Sequence, residues 1–100
     1  MLFRSMSVIA YHFWSPTCQP CKVIKPAIED LKEEFSQVQW KSVNTHDDPD
    51  EYASMFGVSV VPTIVVVATN SSGEIIYQEK HSGTTIATYY RILRSGLKSI

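Results

Sequence analysis

Apolar and polar residues fall into blocks along the chain, and the period of each block predicts an element. Met6 to Trp14 (MSVIAYHFW) is an almost unbroken apolar run closed by Ser15-Pro16. Such a run predicts a strand buried on both faces, as in the middle of a parallel sheet. From Pro20 to Phe35 the apolar residues Ile24, Ala27, Ile28, Leu31 and Phe35 recur at helical spacing. Lys25, Glu29, Lys32 and Glu33 take other positions, which makes the segment an amphipathic helix. Pro26 falls inside it and cannot donate to the Lys22 carbonyl, so a kink is expected there.

Val38 to Asn44 (VQWKSVN) alternates loosely and predicts a second strand. Asp48-Pro49-Asp50-Glu51 has the form of a helix start, with Asp48 as cap, Pro49 in the first helical position and Glu51 three residues after the cap. That pattern accounts for the Asp47-Asp48 and Asp50-Glu51 carboxylates without a metal. Gly57 is the expected C-terminal stop of this short helix. Thr63 to Thr69 (TIVVVAT) is a β-branched strand directly after Pro62, Asn70 to Gly73 a turn, and Glu74 to Lys80 the returning strand. After Ser82-Gly83, Ile86, Tyr90, Leu93, Leu97 and Ile100 mark one face of a last helix. The order βαβαββα implies an α/β fold: a parallel βαβ unit, a hairpin and a closing helix sharing one four-stranded mixed sheet.

A chain of 100 residues is one domain, 1–100, with no linker or repeat. The formal net charge of −1 gives no electrostatic reason to expect nucleic acid or an anionic membrane as partner. The N-terminal stretch, Met1 to Trp14 with Arg4, runs straight into the first cysteine. Cleavage of a signal peptide there would remove the first strand. The chain's 2 cysteines lie in a single C-x-x-C, too few and too close for a secreted disulfide framework. A reducing, cytoplasmic location is therefore expected.

Cys18-Gln19-Pro20-Cys21 sits where the first strand hands over to the first long helix. A thiol at a helix N-terminus meets unpaired backbone N–H groups and the positive end of the dipole, which favour its thiolate. Cys18 is so placed. Cys21, three residues on, lies beside it and is more shielded. The pattern suits a nucleophile with its own resolving thiol: Cys18 attacks a disulfide, and Cys21 then attacks Cys18. Zinc would need four ligands, and His12, His46 and His81 show no paired ligand spacing. No metal and no cofactor is expected.

With these residues in place, the sequence resembles the thioredoxin family from about Val8 to Leu97. The likeness rests on Phe13 to Lys22 (FWSPTCQPCK) with Pro26, on Asn44 to Pro49, on Phe56 to Thr63 (FGVSVVPT), and on Gly73 and Gly83. It implies a cis Val61–Pro62 bond packed beside the active-site sulfurs, with Val61 offering its backbone to a bound substrate peptide. Trp14 matches an active-site tryptophan and Gly83 a glycine of the substrate groove. Gln19 and Pro20 complete the substrate-facing loop. Against the family pattern, the strand and helix that usually precede the first strand are missing, which resembles the minimal fold of glutaredoxin size. Val38–Asn44 is then an exposed edge, where Lys41 discourages pairing between sheets. Thr17 stands in place of a second tryptophan. His12 replaces a buried carboxylate and Ser42 its companion lysine. Three readings of His12 stay open: a neutral imidazole that helps deprotonate Cys21, an imidazolium that lowers the thiol pKa values, or a hydrogen-bonded core residue. His46 and His81 are expected to be solvated, and Tyr89, Tyr90 and Met55 to serve packing.

The resemblance implies an enzyme that reduces disulfide-containing protein substrates as a monomer and is recharged by a thioredoxin-reductase-type electron donor. Proline before Cys21 resembles reductases, whereas isomerases and oxidases usually carry histidine there. A glutaredoxin would carry proline and tyrosine between its cysteines. Two further classes stay in view: a binding module with little turnover, and an exported oxidase or isomerase.

Overall fold

The computed structural model describes residues 6–100, so the first five, Arg4 among them, lie outside the described residues. The elements are β1 (Ser7–Trp14), α1 (Gln19–Glu34), β2 (Gln39–Asn44), α2 (Tyr52–Met55), β3 (Thr63–Thr69), β4 (Ile75–Ser82) and α3 (Ile86–Lys98). The sheet runs β2-β1-β3-β4. β1 is parallel to β2 and antiparallel to β3, and β3 is antiparallel to β4. This is the expected mixed sheet, with β2 on an edge and β1 and β3 inside.

The period of two along β1 and β3 sends side chains to two separate cores. Val8, Ala10, Ile64, Val66 and Ala68 pack against Ile24, Ile28 and Leu31 of α1 and Tyr89, Ile92 and Leu93 of α3. Tyr11, Phe13, Val43, Val65 and Val67 meet Tyr52, Ala53 and Phe56 around α2. With both faces covered, a continuous apolar run is what these two strands require. Helix α1 continues unbroken through Pro26.

Two expectations need correction. α2 begins at Tyr52 rather than at Pro49, because Glu51 takes a left-handed backbone (φ 57) that cannot belong to a helix. Asp48 still caps it from outside, its carboxylate accepting the N–H groups of Tyr52 and Ala53 at 3.1 and 2.9 Å. Gly57 (φ 65) ends the helix as expected, with Val58 N–H donating to the Ala53 carbonyl and Gly57 N–H to that of Ser54. The buried stripe of α3 is Tyr89, Ile92, Leu93 and Gly96, rotated from the expected one. Ile100 lies past the helix and is 41% exposed. The rotation follows from close approach: a Cβ on Gly96 would sit 2.8 Å from Val66 Cγ1. The residue without a side chain faces the sheet, and Leu97 and Tyr90 are left half-buried at the margin.

Candidate active site

The parallel βαβ unit ends β1 at Trp14, and the chain then turns through Ser15–Thr17 into α1. Cys18 N–H donates to the Ser15 carbonyl, which closes the turn. Cys18 is the N-cap of α1, with extended backbone angles, and its Sγ accepts the Cys21 N–H at 3.1 Å. No carboxylate lies in the first helical turn to oppose a thiolate. Cys18 and Cys21 are joined as a disulfide, with Cα atoms 5.3 Å apart. Both are buried, while Thr17, Gln19 and Pro20 around them are exposed.

Sheet register gathers the remaining residues at the same end. Phe13 pairs with Thr63 and Thr63 with Ser82. Pro62 therefore lies level with the end of β1, and Gly83 lies just past the end of β4. The Val61–Pro62 bond is cis, the conformation implied by the resemblance. Gly83 N–H donates to the Pro62 carbonyl at 2.9 Å. Thr63 is fully buried, and its hydroxyl bridges the Val60 carbonyl and Ser82 Oγ, each at 2.7 Å. Val61 is half-buried and Val60 is 55% exposed. Trp14 is half-buried, its indole N–H donating to Ser42 Oγ at 2.8 Å. The structure thus brings Cys18, Cys21, Trp14, Gln19, Pro20, Val61, Pro62 and Gly83 to one end of the sheet.

His12 lies behind them. It is 6% exposed, and its buried Nε2 has no hydrogen-bond partner among the described residues. It shares with Cys21 a cavity of about 400 Å³, lined also by Trp14, Ser42, Glu29 and Lys32. Burial, reinforced by the Lys32 ammonium and partly offset by Glu29, pushes its pKa down to about 4. That shift favours the neutral imidazole near pH 7 in the oxidised protein. The unpartnered Nε2 leaves that atom without the hydrogen bond expected of a core histidine.

His81 departs from expectation. It is half-buried rather than solvated, and its buried Nε2 also lacks a partner among the described residues. His46 is exposed as expected. Tyr89, expected to serve packing, also donates its hydroxyl to the Gly83 carbonyl at 2.8 Å. The only available sequence signal was a tyrosine at a core position, since a buried hydroxyl must find an acceptor.

Comparison with known proteins agrees with this geometry. The sequence profile of the thioredoxin family matches residues 3–91. Thioredoxin M5, chloroplastic, of Oryza sativa subsp. japonica is 30% identical over 89 residues, which cover 88% of this chain and 51% of that protein. Thioredoxin 1 of Synechococcus elongatus is 34% identical over 66 residues, covering 65% of this chain and 61% of that one. The chain thus spans between half and two thirds of these relatives. The solved structure of Fasciola hepatica thioredoxin superposes with a TM-score of 0.77 at 22% identity, covering 93% of this chain and 84% of that one. With a family profile matched over nearly its whole length and the same fold behind its Cys18–Cys21 pair, the chain belongs to the thioredoxin family.

Proposed function

We propose that this chain is a thiol–disulfide oxidoreductase that reduces protein disulfides through Cys18 and Cys21. The observation that carries the reading is Cys18 Sγ at the N-cap of α1, accepting the Cys21 N–H beside the partner sulfur. In the reduced protein, the Cys18 thiolate attacks one sulfur of a substrate disulfide. A mixed disulfide forms, and the substrate's other sulfur leaves as a thiolate. The Cys21 thiolate then attacks Cys18 Sγ, which re-forms the Cys18–Cys21 bond and expels the second substrate thiolate. Two electrons pass to the substrate, and two protons from solvent complete its thiols. A dithiol donor of thioredoxin-reductase type restores the enzyme by the reverse exchange. Val61 offers its backbone to the substrate peptide, with Trp14, Gln19, Pro20 and Gly83 around it. A reducing, cytoplasmic setting and action as a monomer suit this cycle.

His12 is assigned to the resolving step. Its neutral imidazole opens into the cavity it shares with Cys21. A base with pKa about 4 is weak toward a thiol while the site is uncharged. It strengthens as the Cys21 thiolate forms, because an adjacent anion stabilises the imidazolium. His12→Ala should slow decay of the mixed disulfide at neutral pH, and an unchanged rate assigns the residue to packing.

Insulin reduction driven by dithiothreitol tests the reading as a whole. Cys18→Ser should abolish turnover, and Cys21→Ser should accumulate the mixed disulfide. A potential of roughly −270 mV supports a reductase, and one at about −120 to −180 mV an oxidase or isomerase. Turnover surviving in the double variant refutes the assignment.

A further inference from the structure

Sheet register places His12, Ile64 and His81 side by side across β1, β3 and β4. Tyr89 of α3 covers this row. Its ring meets both imidazoles edge-on, with centroids 6.3 Å from His12 and 5.6 Å from His81. Tyr89 is completely buried, and its hydroxyl has one assigned acceptor, the Gly83 carbonyl at 2.8 Å. Burial also pushes the phenol well above its ordinary pKa, so it stays a donor throughout the physiological range.

Gly83 is held by two hydrogen bonds. Its N–H donates to the Pro62 carbonyl and its carbonyl accepts from the Tyr89 hydroxyl. A Cβ at this position would stand 3.6 Å from His81 Nε2. The glycine has φ 130, a conformation it alone adopts readily and leaves readily. Unclamped, this residue would sample other conformations, and ordering it would oppose substrate binding.

We infer that Tyr89, braced by the His81 ring packed on it, is a positioning residue that fixes Gly83 against Pro62 as a preformed wall of the substrate-peptide groove. The inference rests on the protein-disulfide-reductase reading above. It concerns affinity for an extended peptide and leaves thiol chemistry untouched. The Tyr89 hydroxyl acts through Gly83. The unpartnered nitrogen of His81 makes the shape of its ring the operative property.

Tyr89→Phe keeps the ring and deletes the hydroxyl. It should raise KM for insulin roughly fivefold, the effect of one lost hydrogen bond, and leave kcat unchanged. Reaction of the reduced variant with 5,5′-dithiobis(2-nitrobenzoate), which needs no peptide groove, should match wild type, and the Gly83 amide should exchange hydrogen faster. His81→Ala should raise KM as well, and His81→Phe should restore it. An unchanged KM in Tyr89→Phe, or a fall in kcat alone, overturns the inference, as does unchanged Gly83 exchange. Wild type that reduces the small disulfide but not insulin would refute the protein-substrate reading instead. Gly83 exchange in Tyr89→Phe reports on the clamp without turnover, so the two failures are distinguishable.

Discussion

His12 should make the oxidised protein lose stability on mild acidification, well above the range where carboxylates titrate. Folding moves its pKa from 6.5 down to about 4. Between these values the unfolded chain binds a proton that the folded protein does not, so stability rises with pH across the window and falls as pH drops through 6.5. At about 1.4 kcal/mol per pH unit, the full penalty is about 3 kcal/mol, reached below pH 4. Roughly 2 kcal/mol of it develops between pH 7 and pH 5, a large part of the 5–15 kcal/mol typical of a domain. Urea unfolding at pH 7, 6 and 5 measures the slope. His12→Leu provides the baseline, since it fills the same space without a titrating group and retains the contributions of every carboxylate. The wild-type slope should exceed the variant's by the stated amount, and the His12 ring proton should titrate well below pH 5 by NMR. Parallel slopes, or a His12 midpoint near 6.5, would refute the claim that the imidazole is buried neutral.

Gly96→Ala should destabilise the protein by about 1–2 kcal/mol despite the better helix propensity of alanine. The new methyl would lie 2.8 Å from Val66 and 3.3 Å from Val8, both in the sheet; thermal unfolding checks this, and a stabilised variant refutes it. Thr63→Val removes a fully buried hydroxyl that joins Val60 to Ser82. It should cost about 1–2 kcal/mol by leaving the Val60 carbonyl and Ser82 hydroxyl short of a partner. Chemical denaturation measures that cost, and an unchanged midpoint with an unchanged slope counts against it.

The strands were legible because burial on both faces imposes a pattern that survives in one sequence. Thr63–Thr69 holds to the residue, and β1 starts one residue late. The cysteine pair was legible because strand, turn and amphipathic helix bracket it. Other features were hidden by causes that act across the fold. Glu51 in the left-handed region moves the start of α2, and nothing local distinguishes that glutamate from the first residue of a helix. The α3 stripe is rotated by contact of Gly96 with Val66, a partner thirty positions away in the chain. His81 turns toward Tyr89 of α3 because of the β3–β4 register, and His12 reveals its lack of a partner only when its surroundings are assembled. Properties set by period and punctuation could be read in advance. Those set by which strand lies beside which could not.

The N-cap role of Cys18 ties the redox couple to the helix in a thermodynamic cycle. The Cys21 N–H is a donor that any α-helix leaves orphaned at its start, and here it is spent on the sulfur that changes charge. Reduction leaves a thiolate there, a stronger acceptor than disulfide sulfur, so the first turn of α1 should be firmer in the reduced protein. By reciprocity, a change that tightens that turn makes the disulfide easier to reduce and the dithiol a weaker reductant. Reducing power is then set partly by helix-start residues outside the substrate-facing loop, such as Lys22. Serine in place of Cys18 would keep the cap and lose the couple, and alanine would lose both.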